Sequence, residues 1–359
     1  MTRVQQRPAG MEYANSRIRG SRVRLLDESH YDTLLAQPDL AGVIRTLASW
    51  PQYRPYIEDA ALTKEGTVLV STALQAKLVD EYGFVYELMP EAERRQLRAL
   101  VGIWDAEDLK SIVRGKSAGV PPEEIIESLT GLGQAIDRED LKILARQEDL
   151  ESVVGTAVSL GMAFSSGFSE ALIEYQAEGA LSSFEREIDR TWAQSSAKEV
   201  SRWRVKGGPV HEVITSEIDI LNITTAMRAA ATDREIEDLD RFFLPGGERI
   251  DEAEFLRLAS LGDALAVLDA LPMAEWGAAR RAANEAYVLR GTVSAMEQAI
   301  RASVAQGRIK RFGRDILGFG VAVGYLLSVL YEVRNIRVIA YGKRFFVPDD
   351  MIRRELVLV

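Results

Sequence analysis

Capping and apolar residues recur along the chain in one arrangement, three times over. Asp27, Asp137 and Asp251 each follow a Leu or Ile, and each suits the start of a helix, where a short side chain accepts a backbone amide hydrogen bond. Four residues on come Tyr31, Leu141 and Phe255, and three further on Leu34, Leu144 and Leu258. Asp39, Asp149 and Asp263 follow, then Val43, Val153 and Val267, always at the same offsets. Spacings of four, seven and sixteen describe one apolar helical face interrupted near the second aspartate. Pro38 sits at that break in the first copy.

A second pattern repeats independently. Asp105-x-x-Asp108-Leu109, Asp219-x-x-Asn222-Ile223 and Glu332-x-x-Asn335-Ile336 all read acid, two residues, Asp or Asn, then a branched aliphatic. With Asp108, Asn222 and Asn335 as anchors the copies lie 114 and 113 residues apart. Arg114-Gly115-Lys116, Arg228-Ala229-Ala230 and Tyr341-Gly342-Lys343 follow at one offset, and Val120-Pro121 matches Val347-Pro348. Pro121-Pro122-Glu123-Glu124 and Pro348-Asp349-Asp350 are helix start signals, and Thr232-x-x-Glu235 is a capping box in the middle copy.

Two unrelated patterns that keep one order and a period near 114 residues exceed what amphipathicity, with its 3.6-residue period, produces. The expected architecture is all-α, with three similar helical domains related by an internal pseudo-threefold repeat. Breakers gather at Pro121-Pro122 through Gly131-Leu132-Gly133 and at Pro245-Gly246-Gly247, so the expected units are residues 1–125, 126–239 and 240–359. No alternation long enough for a sheet appears. The uncharged stretch from Ile316 to Tyr331 is shorter than the roughly 20 residues that span a bilayer and reads as a helix buried in the third unit.

Composition narrows the function. With 359 residues, 47% of them hydrophobic and 27% charged, the chain is an ordinary globular one able to bury two or three cores. Its 44 basic and 54 acidic residues leave a net charge of -10, which repels a phosphate backbone, so no nucleic-acid partner is expected. It has no cysteine and two histidines, His30 and His211, which removes disulfides, thiolate metal sites and histidine-rich sites and fits a reducing cytosol. Residues Thr2 to Pro8 lack the apolar stretch of a secretion signal, so no export is expected.

Candidate chemistry is sparse. Gly115-Lys116-Ser117 resembles the end of a phosphate loop, but Lys110 stands where the leading glycine belongs, and a helix terminator with a dipole-matching lysine accounts for it. Asp105 and Asp108 share a helical face and could hold a divalent cation; the Asn at the equivalent places in the other copies suits a hydrogen-bonded joint equally well. Neither histidine stands in an acid–nucleophile pattern. Arg17, Arg19, Arg22 and Arg24 ring a short helix with the apolar stripe Met11, Ala14, Ile18 and Leu25, either a solvated face or a docking surface for an acidic partner. No catalytic residue, cofactor or metal ligand is assigned.

These residues resemble one family from end to end: the C subunit of bacterial and archaeal V-type (A-type) ATPases, relative of the d subunit of the eukaryotic V-ATPase. Tyr13-Ala14-Asn15-Ser16-Arg17-Ile18-Arg19 is similar to its opening, and the three anchor segments with Phe242-Phe243-Leu244-Pro245-Gly246-Gly247 are similar to its internal signatures. The stretch from Glu332-Val333-Arg334-Asn335-Ile336-Arg337 through Gly342-Lys343 and Met351-Ile352-Arg353 is the most specific. The resemblance implies a funnel of three helical domains and a non-catalytic central-stalk role. Its implied partners are the central shaft subunits of the ATPase head and the membrane rotor ring. It also implies a cytoplasmic place on the inner face of the cell membrane, held through protein contacts. The residues alone leave two alternatives: an all-helical adaptor with other partners, or an all-helical metal-dependent enzyme using Asp105 and Asp108.

Overall fold

The computed structural model describes residues 10–133, 136–203, 207–232, 239–315 and 317–358. Every regular element among them is helical and none is a strand. The capping pattern read above sets local structure directly. Asp27, Asp137 and Asp251 are the N-caps of three eight-residue helices, Glu28–Leu35, Arg138–Ala145 and Glu252–Ala259. Their carboxylates accept the backbone N–H of His30, Glu139 and Glu254. Asp39, Asp149 and Asp263 cap the helices that follow, Leu40–Ser49, Leu150–Ser159 and Ala264–Ala270, and accept from Gly42, Ser152 and Ala266. Tyr31, Leu34 and Val43, with their counterparts Leu141, Leu144, Val153 and Phe255, Leu258, Val267, are all buried. Each copy thus becomes a short helix pair that buries one continuous stripe.

The three anchors lie on long helices. Asp105 and Asp108 are on Glu91–Ser117, Asp219 and Asn222 on Pro209–Ala230, and Glu332 and Asn335 on Gly320–Arg344. Proline and acids open the short helices Pro122–Ser128 and Asp349–Arg354, as the start signals require. Glu235 of the expected middle capping box lies outside the described residues.

The chain divides into two compact units. One comprises Met1–Arg98, Ala118–Arg146 and Arg308–Val359; the other comprises Ala99–Ser117 and Gln147–Gly307. In the first, the Gly320–Arg344 helix packs on Gly66–Leu88, Met11–Arg22 and Leu40–Ser49. Its first half is buried through Val323, Leu326 and Val329, as expected of the uncharged stretch. The helix starts later than that stretch, at Gly320, because the Asp315 carboxylate accepts the Gly318 N–H and forms a turn there; Leu317 is exposed and Ile316 lies outside the described residues. In the second unit, Pro209–Ala230 packs on Glu252–Ala259 and Ala264–Ala270 around Ile223, Met227, Phe255, Leu258, Val267 and Met296.

Candidate functional site

A helix interior has no spare backbone groups for its neighbours, so a buried acid or amide on a long helix must find partners elsewhere in the chain. At the second anchor the Asp219 carboxylate, wholly buried, accepts the backbone N–H groups of Glu248, Arg249 and Ile250 at 3.0–3.2 Å. Burial raises its pKa, and the three amides act against that rise. One turn on, the Asn222 side chain donates to the Leu244 carbonyl and accepts the Leu244 N–H, both at 2.9 Å. Gly247 lies so close to the carboxylate that a Cβ there would collide with an Asp219 oxygen, while its neighbour Gly246 has φ 109° and no room for a Cβ beside Ala197.

The third anchor repeats this chemistry. Asn335 exchanges the same pair of hydrogen bonds with Val357, at 2.8 and 2.9 Å, across the same 22-residue separation as Asn222 and Leu244. Glu332 accepts the Leu26 N–H at 2.5 Å, and Leu26 precedes the N-cap Asp27 just as Ile250 precedes Asp251. Because Glu332 is one methylene longer, it also reaches a side chain, and accepts the Tyr53 hydroxyl. Around this pair Lys77 donates to Glu81 at 2.9 Å and stands 5.2 Å from the Tyr53 ring centre, while the Tyr325 hydroxyl donates to Glu81 at 2.6 Å. Burial pushes Glu332 above the ordinary glutamate pKa, and burial with the neighbouring Glu332 charge pushes Tyr53 well above the ordinary tyrosine value.

At the first anchor Asp105 and Asp108 are both buried. On the same helix Lys110 is paired with Asp189 at 2.9 Å and Glu107 at 2.7 Å. Burial works against the Lys110 charge, but the two carboxylates outweigh it and its pKa is raised. Gly115-Lys116-Ser117 forms the last turn of this helix, where Lys116 donates to the Gln147 carbonyl; a helix end, with no cradle of amides opening a helix, is what the structure holds there. Among the described residues no three His, Asp or Glu side chains gather as they would to hold a metal ion.

The N-terminal arginines are spread around Met11–Arg22 and its exit. Ala14 and Ile18 form its fully buried stripe, with Met11 and Leu25 half-buried. Arg17, Arg19 and Arg24 are exposed and Arg22 is half-buried. Arg17 donates to the Tyr13 hydroxyl at 2.9 Å and lies 5.9 Å from the Phe84 ring, Arg19 donates to the Asp315 carbonyl at 2.6 Å, and Arg24 donates to Ser21 at 3.0 Å. His30 serves the Asp27 capping box, and hydrogen bonds from Ser29 and His30 draw Asp27 down to about 2.

A groove of about 360 Å³ runs between Ser182–Ser201 and Pro209–Ala230, floored by Phe242 and Leu244. Its guanidiniums are already neutralised, Arg186 by Glu174 and Arg228 by Glu297, each at 2.6 Å, so it offers no ready anion site. Sequence reasoning located the anchors but not Tyr53, Lys77, Glu81 or Tyr325. No spacing links them to Glu332.

Comparison with known proteins converges on one family. The model of the ATP synthase (C/AC39) subunit family matches residues 14–355. The chain is 25% identical to the C subunit of the A-type ATP synthase of Methanocaldococcus jannaschii over 345 residues, 96% of this chain and 86% of that one. It is 26% identical to the same-named protein of Methanothermobacter thermautotrophicus, covering 96% of this chain and 87% of that one. It is also 27% identical to the C subunit of the V-type ATP synthase of Deinococcus radiodurans, covering 97% and 92%.

Proposed function

Because the chain belongs to the ATP synthase (C/AC39) subunit family, we propose that it couples the central shaft of an A/V-type ATP synthase head to the ion-translocating rotor ring in the membrane. It is a non-catalytic subunit of that complex. The observation that carries the proposal is the family match, which runs from residue 14 to residue 355. Coupling demands stiffness and docking surfaces rather than a reaction centre. Buried joints such as Asp219 with Ile250 and Glu332 with Leu26 favour stiffness, since each ties a long helix to the start of a helix pair.

The same joints support three repeat units at residues 1–125, 126–239 and 240–359. On that division Asp219, in the second unit, holds the start of the third, and Glu332, in the third, holds the start of the first. An experimental structure in which Asp108, Asn222 and Asn335 fail to superpose would end the repeat reading. Exposed Arg17, Arg19 and Arg24, with Arg22, are proposed contacts to acidic partner surfaces. We place the chain on the inner face of the cell membrane, peripheral and held by protein contacts; among the described residues no helix is long and apolar enough to cross a membrane.

The test is reconstitution. Membranes lacking the chain should lose ATP-driven ion transport, and adding it back should restore both head attachment and transport. Full transport without the chain, or ATP hydrolysis by the pure chain, would refute the role.

A further inference from the structure

The Gly320–Arg344 helix ends in an unfavourable way. Phe346 has φ 55°, and it is the one non-glycine residue in the left-handed region among the described residues. It stands eleven residues after Asn335, the place that Gly119 takes eleven residues after Asp108. Gly119 has φ 67° and no Cβ to strain it. The position therefore calls for glycine and holds a bulky aromatic.

Packing within the chain does not compensate. Phe346 is 83% exposed, Phe345 67% and Met351 53%. The segment is nonetheless firmly built: the Val347 N–H donates to the Gly342 carbonyl at 2.9 Å, and Lys343 pairs with Asp349 at 2.5 Å. Gly342 lies directly under the Ile352 side chain, where a Cβ would collide. Two phenyl side chains are thus largely exposed on a hydrogen-bonded turn, Phe345 with its ring stacked on Tyr341 at 6.4 Å and Phe346 on strained backbone. Strained residues and exposed apolar patches mark places that serve something outside the fold.

We propose that Arg344, Phe345, Phe346 and Met351 form a docking surface for another protein of the complex, one that presents an apolar groove with a carboxylate at its rim. The proposal rests on the reading that the chain works inside an ATP synthase complex. Charge selects this occupant. Lys343, Arg353 and Arg354 are each paired with a carboxylate of this chain, whereas Arg344 has no carboxylate partner among the described residues and lies 6.0 Å from the Phe345 ring. A guanidinium without a carboxylate partner among the described residues, lying against the Phe345 ring, suits one carboxylate next to an apolar groove. An anionic bilayer draws clusters of free basic residues, whereas three of the four here, Lys343, Arg353 and Arg354, are already paired with carboxylates of this chain.

The experiment uses membranes stripped of this chain but retaining the other ATP synthase subunits. Wild type, Phe346→Gly and Arg344→Glu are added back, and the retained protein is measured against concentration. Phe346→Gly should melt at a higher temperature than wild type, because glycine is at ease at that φ, and still be retained roughly tenfold more weakly, the loss expected on truncating an aromatic anchor. Arg344→Glu should also weaken retention, and protein-free vesicles of phosphatidylcholine and phosphatidylglycerol should hold neither wild type nor variants. Equal retention of wild type and Phe346→Gly, with wild type restoring transport, overturns the docking surface and leaves the coupling role standing. Retention of wild type by the bare vesicles, lost in Phe346→Gly, makes the occupant lipid and overturns the proposal. A wild-type dimer in sedimentation that Phe346→Gly abolishes makes it a second copy, with the same consequence. If wild type itself neither binds the stripped membranes nor restores transport, the coupling role fails and the docking surface falls with it.

Discussion

Removing the Glu332 carboxylate tests the joint that ties the last long helix to the first helix pair. In Glu332→Ala the Leu26 N–H and the Tyr53 hydroxyl, both in the buried core, lose their acceptor. Each buried donor left unsatisfied costs about 1–3 kcal/mol, and partial relaxation around the smaller side chain brings the expected total to roughly 3–4 kcal/mol. Glu332→Gln keeps a carbonyl oxygen for the Leu26 N–H but turns its amide toward Tyr53, whose hydroxyl then accepts and loses the acceptor for its own proton, so its loss should be about 1–2 kcal/mol at neutral pH, smaller than that of Ala. The pH dependence separates the two further. Burial raises the Glu332 pKa in the folded chain, so the folded state holds that proton more tightly than the unfolded state does. Its contribution is therefore full below the unfolded value and is lost as pH rises through the folded value. Wild type should lose stability relative to Glu332→Gln as the pH climbs from 4.5, the ordinary glutamate value, toward neutrality. Urea unfolding followed by circular dichroism at several pH values, with hydrogen exchange at His30 and Tyr31 as a local readout, measures both effects. An unchanged urea midpoint for Glu332→Ala, or equal damage from Ala and Gln, would refute the joint.

Gly247→Ala should destabilise the second joint by roughly 1–3 kcal/mol, because the new methyl group must displace the Asp219 carboxylate from its three amides; thermal melting checks this, and an unchanged melting temperature counts against the close approach. Val323→Asp places an unpaired charge in a fully buried position and should cost roughly 3–5 kcal/mol, measured by urea unfolding. Asp39→Ala, Asp149→Ala and Asp263→Ala should each cost about 1 kcal/mol, since each removes one N-cap hydrogen bond of the same kind; losses that differ widely between the three would show that the caps are not equivalent.

The helix pairs were legible in the chain because their determinants are local. An aspartate accepts an amide two or three residues on, and a stripe at spacings of four and seven buries one face, so Asp27 to Val43 can be read without knowing what lies opposite. The anchors were legible as positions, since an acid and an amide repeated on one helical face must share some structural duty. The capping box at Thr232 and Glu235 had the same local logic, but Glu235 lies outside the described residues.

By itself, then, the amino-acid sequence determined the helical class, the starts of the short helices, the burial of their stripes and the family to which the chain belongs. Tertiary structure alone decided which groups satisfy the anchors. A buried carboxylate must find donors, but the requirement names no address: Glu332 meets Leu26 across 306 residues and Tyr53 across 279, while Asp219 meets amides only 29–31 residues away. It also decided that Arg19 turns back onto the Asp315 carbonyl while Arg344 keeps no carboxylate partner among the described residues, and that a phenylalanine takes the backbone conformation for which Gly119 is suited. Capping and periodicity act between residues a turn apart, whereas partner choice depends on which segments of a folded chain come to lie side by side.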